Sequence, residues 1–204
     1  MITTMKKPSA RVRAFLKCIL KVIPNTFYFK RLGYNISSIV RYASNYDFTG
    51  LLVLQEKSAQ PIGIYCCHLP YGPTFFYRLT NMKLPQEIPG TVDSTDNNPE
   101  LIFNNFDSWY GQRSMRQLTS LFPRQQQLQY RRCITFHNMR DYVFFRHHRY
   151  DFKDNLERVA IKEIGPRFTL KLRWIQKGTF SIKGKYEFMW RADMQINRKL
   201  FFMS

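Results

Sequence analysis

The chain alternates most strictly between residues 167 and 174, directly after Gly165-Pro166. Phe168, Leu170, Leu172 and Trp174 fall at one parity, and Arg167, Thr169, Lys171 and Arg173 at the other. Period two predicts a strand that lays an apolar face on a core and displays about three positive charges outward. Near the amino terminus the spacing changes. Between residues 9 and 22, Val12, Phe15, Leu16, Ile19 and Leu20 recur at i, i+3 and i+4, with Arg13, Lys17 and Lys21 outside. That pattern predicts an amphipathic helix, which Pro24 stops.

Shorter runs complete the picture. Strands are predicted at 1–4, 27–29, 51–55, 62–68 and 74–80, with Pro70-Tyr71-Gly72-Pro73 as a turn and a short helix at 37–43. A Pro- and Asn-rich stretch, 85–99, reads as a linker. Beyond it come a strand at 101–104, a helix at 113–121 and strands at 133–137, 142–149, 159–164 and 168–174. Short extended pieces at 186–190 and 199–202 follow, with basic turns at Lys177-Gly178-Thr179 and Lys183-Gly184-Lys185.

The two series correspond in order. Gly72-Pro73-Thr74-Phe75 aligns with Gly165-Pro166-Arg167-Phe168, and Asp47-Phe48 with Asp141-Tyr142. A helical stretch closes on Ile23-Pro24 in one and on Phe122-Pro123 in the other. The expectation is an internal duplication with a unit of about 95 residues. The fold class expected is α/β: one domain over 1–204, with pseudo-symmetric halves 1–84 and 100–204 joined by 85–99.

Charge narrows the range of partners. The 204 residues hold 32 Lys+Arg against 14 Asp+Glu, a net charge of +18. Residues 1–102 carry 12 basic and 6 acidic groups, and residues 103–204 carry 20 and 8. Such an excess costs stability through self-repulsion and suits a polyanion, so the carboxyl-terminal half is the expected docking face. At 44% hydrophobic and 16% aromatic, the chain is no disordered basic tail. No run approaches the roughly 20 apolar residues of a membrane-spanning helix.

Candidate chemistry follows from the side chains available. No G-x-x-x-x-G-K-[ST] or G-x-G-x-x-G loop is present, which argues against nucleotide chemistry. Cys66, Cys67 and His68, or Cys133 and His137, are conceivable metal ligands without C-x-x-C spacing. Neighbours on a strand point to opposite faces, so Cys66 and Cys67 are expected as separate buried thiols. His137, His147 and His148 near Asp141, Asp151 and Asp154 leave a ribonuclease reading open. Arg140, Arg146, Arg149, Arg167, Lys171, Arg173 and Lys177 recur beside Phe136, Tyr142, Phe144, Tyr150 and Trp174. Cations for phosphates and rings for unpaired bases make these seven the expected RNA-binding residues. A basic face turned to an acidic protein partner is the other reading. No metal or other cofactor and no small-molecule substrate is expected.

Longer stretches carry a resemblance. His68-Leu69-Pro70-Tyr71-Gly72-Pro73-Thr74, Leu101-Ile102-Phe103-Asn104-Asn105-Phe106, Thr135-Phe136-His137-Asn138-Met139-Arg140-Asp141-Tyr142, Gly165-Pro166-Arg167-Phe168-Thr169-Leu170 and Gln176-Lys177-Gly178-Thr179-Phe180 resemble the Brix-domain proteins of ribosome assembly. The resemblance covers essentially the whole chain, in order. It implies two halves, each similar to a class II tRNA synthetase anticodon-binding domain. It also implies non-catalytic binding of ribosomal RNA precursor in an early, nucleolar precursor of the large subunit, beside a dedicated protein partner and away from membranes. Small-subunit assembly is the alternative within the family. The family's basic segment falls on Arg167, Lys171, Arg173 and Lys177. Relatives usually begin with a basic extension ahead of the segment at Ile2-Thr3-Thr4, and Gly184-Lys185-Tyr186-Glu187-Phe188 stands where Gly-Glu-Tyr-Glu-Trp is expected.

Overall fold

A computed structural model describes residues 1–5, 7–94, 98–123, 132–153, 158–180 and 184–194. Its strands are β1 (Ile2–Thr4), β2 (Gly50–Lys57), β3 (Gln60–His68), β4 (Thr74–Lys83), β5 (Glu100–Asn104), β6 (Arg132–Met139), β7 (Tyr142–Lys153), β8 (Arg158–Glu163), β9 (Arg167–Gln176) and β10 (Tyr186–Met189). The helices are α1 (Ala10–Val22), α2 (Ile36–Asn45) and α3 (Trp109–Thr119). The strands form one sheet in the order β1-β2-β3-β4-β9-β7-β6-β5, with β10 added to β9 and β8 to β7. Each end of that order has a parallel pair, β1 with β2 and β5 with β6; every other pairing is antiparallel. The two Gly-Pro segments open β4 and β9, which lie side by side at the centre.

The helices divide the two faces between them. Val12, Phe15, Leu16 and Ile19 of α1 and Leu118 of α3 pack with Tyr77, Leu79, Phe145, Phe168 and Leu170 in the main core. On the other face α2 sets Ile39, Val40 and Ala43 against Leu51, Val53 and Cys67, covering only β2 and β3. Local chemistry fixes the helix starts. The Ser9 hydroxyl accepts from the Val12 N–H, and the Ser108 hydroxyl from the Gly111 N–H. The second cap starts α3 at Trp109, ahead of the apolar spacing that suggested residue 113.

Two expectations need correcting. Residues 27–29 form no strand: Tyr28 makes one isolated parallel bridge, to Ile2, and the Phe29 carbonyl then accepts from the Thr3 hydroxyl at 2.7 Å. Residues 85–94 are more than a linker. Pro85–Glu87 form a 3-10 turn, Ile88 is buried, and the Val92 N–H donates to the Glu163 carbonyl at 3.0 Å. The expected segment 199–202 lies outside the described residues, as do Asp154 and Lys183.

Candidate nucleic-acid interface

Among the described residues, no helix covers β4, β9, β7 and β6 on the face away from α1 and α3. Paired residues of antiparallel strands share a face, so register alone builds the rows there. One row runs Arg78, Lys171, Tyr142 across β4, β9 and β7; the next runs Thr80, Thr169, Phe144; Lys83 pairs with Arg167. Arg146 and His148 continue the same face along β7.

The charges on this face are held rather than simply displayed. Lys171 is only 5% exposed, which overturns the expectation of a cation standing in solvent. Its Nζ lies 4.1 Å from the Tyr142 ring centroid and 4.4 Å from that of Trp190. The Arg173 guanidinium sits 4.2 Å from the same Trp190 ring. The reason is topological: β9 is an inner strand, and β10 brings Trp190 back across it, with the Trp190 N–H donating to the Arg173 carbonyl at 2.8 Å.

Arg167 is bound to Glu163, Nε to Oε1 at 2.6 Å. Burial pushes the Glu163 carboxyl up, but Arg167 outweighs it and holds the group below its ordinary range. Burial, then the nearby Arg167 charge, lowers the Arg146 guanidinium. Arg140 stands exposed in the β6–β7 turn with φ of 53°, and Lys177 is exposed just past β9. Arg149 points to the other face, across from Arg132 and Lys162, and pairs with Asp151 at 3.4 Å.

A bulge redirects Trp174. Phe76 pairs with Trp174 and Tyr77 with Leu172, so Arg173 is an extra residue in β9. Leu172 therefore keeps to the core while Trp174 moves to the open face. There it joins Phe76 at 5.5 Å, Tyr65 at 5.8 Å and Tyr186 at 5.6 Å. Phe76, Arg78 and Arg173 line an open groove of about 660 Å³ beside this group. Arg78 and Lys83 were absent from the expected site, although the alternation in Thr74-Phe75-Phe76-Tyr77-Arg78-Leu79-Thr80 marks Arg78 as outward.

The histidines do not converge. His147 is buried under the main-core face, its Nδ1 donating to the Gly165 carbonyl at 2.9 Å. His137 and His148 share the open face but stand four residues apart in register, about 13 Å along the strand. Cys66 packs in the main core and Cys67 in the cluster under α2, and burial pushes both thiols up. Among the described residues, no three His, Cys, Asp or Glu side chains gather as a metal site.

Fold and face together define an α/β protein built on one long sheet whose uncovered surface is basic and aromatic. The chain belongs to the Brix-domain family, whose model matches residues 5–174. It is 42% identical over 200 residues to a Brix domain-containing protein of Caenorhabditis elegans, covering 96% of this chain and 52% of that one. It is 41% identical over 204 residues to Ribosome production factor 1 of Xenopus laevis, covering 98% of this chain and 59% of that one. The chain thus spans a little over half the length of these relatives. In fold it is similar to a "probable ribosomal biogenesis protein" of Aeropyrum pernix K1, with a TM-score of 0.59 at 18% identity, covering 93% of this chain and 97% of that one.

Proposed function

We propose that the chain is a non-catalytic assembly factor of the large ribosomal subunit. It binds precursor ribosomal RNA in the nucleolus, beside a protein partner, during early folding and processing. The observation that carries this reading is the open sheet face, where Arg78, Arg146 and Arg173 share one surface with the rings of Tyr142, Phe76 and Trp174. Guanidinium groups neutralise and fork onto phosphates, while half-buried rings offer stacking surfaces to unpaired bases. The relatives named Ribosome production factor 1 supply the process. The separation of His137, His147 and His148 supports binding over cleavage, because general acid–base work on RNA needs its groups within reach of one phosphate.

In-cell ultraviolet crosslinking of the tagged protein, with sequencing of the attached RNA, tests the proposal. Crosslinks concentrated in large-subunit precursor RNA are expected, and they drop when Arg78, Arg146 and Arg173 are changed to Gln. Crosslinks to the small-subunit precursor would move the assignment to the other subunit. No enriched RNA would overturn it and leave the basic face to a protein.

A further inference from the structure

Helix α1 carries a feature that its role in the core does not explain. Its thirteen residues include Arg11, Arg13, Lys17 and Lys21 and no Asp or Glu. Like charges at i and i+4 oppose helix formation, as do cations near a helix amino terminus. Arg11 is offset by Glu87, to which Nη1 donates at 2.6 Å. Arg13, Lys17 and Lys21 are exposed and pair with no carboxylate among the described residues. At successive steps of four residues they form a slanting row, with about 6 Å between neighbours along the axis and about 40° of turn at each step.

This row forms one wall of a groove of about 520 Å³, whose other wall is the segment Pro85 to Ser94 and whose floor includes His147 and Gly165. Among the described residues lining it, Asp93 is the only acid. The buried Arg132 guanidinium adds positive potential beneath it and ties the walls together. Arg132 Nη1 donates to the Lys21 carbonyl at 3.3 Å and to the Ser94 hydroxyl at 2.9 Å. On the floor, His147 is 1% exposed, and its Nε2 has no hydrogen-bond partner among the described residues. A polar occupant, unlike an apolar helix, suits such a floor.

We infer that the groove between α1 and residues 85–94 is a second nucleic-acid site, which takes the sugar–phosphate backbone of an RNA strand along Arg13, Lys17 and Lys21. It lies on the opposite side of the sheet from the open basic face, so the protein holds RNA on both sides and clamps two segments of one precursor. An even row of cations fits the even charge of a backbone better than an acidic peptide, whose carboxylates vary in spacing. The inference rests on the RNA-binding reading above.

The test is RNA binding by fluorescence anisotropy, using a mixed-sequence RNA and the whole chain over a range of salt. The variant R13Q/K17Q/K21Q keeps the helix, because all three side chains are exposed and Gln is a good helix former; an unchanged melting curve checks this. Binding at least ten-fold weaker is expected, with the slope of log K against log salt smaller by about 2, since each lost single-strand phosphate contact removes about 0.7. The equal-charge control K30Q/R41Q/K153Q should change far less. The sheet-face variant R78Q/R146Q/R173Q should weaken binding independently, its effect adding to that of the groove variant. If the groove variant binds as wild type does, or no worse than the control, the groove site is wrong while the sheet-face reading stands. If wild type binds no RNA, both fall.

Discussion

Lys171 Nζ lies 4.1 Å above the ring of Tyr142, its cross-strand neighbour, and 4.4 Å from Trp190, so this lysine is an inward-held cation. Attraction to a desolvated ring is worth about 2 kcal/mol, and the methylene stem adds packing. Lys171→Met should therefore cost roughly 1–2 kcal/mol, and Lys171→Glu considerably more, since it buries an anion against two rings. Urea unfolding measures both. If Lys171→Glu unfolds at the wild-type midpoint, the side chain is free in solution and the cation–π pocket is wrong. Charge reversal here cannot report on RNA binding, which is why Arg78, Arg146 and Arg173 serve that purpose.

Phe168 tests the opposite face of the same strand. Its ring stacks on Phe145 at 4.2 Å and meets Phe15 of α1 edge-on at 5.5 Å, so it joins β7, β9 and the helix layer. Phe168→Ala should cost about 3–5 kcal/mol, and Phe168→Asp should prevent folding at room temperature. Circular dichroism with a denaturant titration decides. A folded Phe168→Asp protein would mean that this side of β9 is not the core.

Two glycines with left-handed backbone make a paired prediction. Gly33 has φ of 94° with nothing within 4 Å of an added Cβ, whereas Gly72 has φ of 88° and its Cβ would stand 2.4 Å from the Gly178 carbonyl oxygen. Both substitutions to Ala meet the left-handed penalty of about 1–2 kcal/mol. Only Gly72→Ala must also push apart two backbone segments. It should be the more damaging of the two, by at least about 1 kcal/mol in urea unfolding. Equal losses would show that the Gly72–Gly178 contact is not formed in solution.

The sequence made the elements legible wherever one face met one environment. Helix α1 and strand β9 both announce their apolar sides, because Val12, Phe15, Leu16 and Ile19, like Phe168, Leu170 and Leu172, answer to one core. It failed where a second layer returned. Nothing in the alternation of 167–174 says that Trp190 folds back over Lys171, since that contact is a product of how β10 pairs. Nor does period two reveal the bulge at Arg173, which places Trp174 opposite to its expected side. The basic face was legible in outline, and Arg78 could have been added from the alternation in β4. Arg149 shows the limit: its charge was read correctly, but only register with Arg132 and Lys162 shows which face it takes.

His147 makes stability depend on pH in a defined direction. Burial is the main cause of its low pKa, brought to about 4 from 6.5; the bond to the Gly165 carbonyl works the other way, and the charges of Arg132 and His148 add to the lowering. Between those values the unfolded chain takes up a proton that the folded chain refuses. Stability is therefore complete above about pH 6.5 and falls as the pH drops toward 4. Burial lowers His148 as well, and Glu163 is held below its ordinary range, so both neighbours lose stability on acidification in the same sense. From pH 7.5 to 5, His147 alone should account for roughly 2 kcal/mol. His147→Asn keeps a side-chain N–H for the Gly165 carbonyl but cannot take a proton. It should lower stability at pH 7.5 yet flatten the decline toward pH 5, as read from urea midpoints at each pH. A variant whose decline runs parallel to wild type would show that His147 is not the group that titrates.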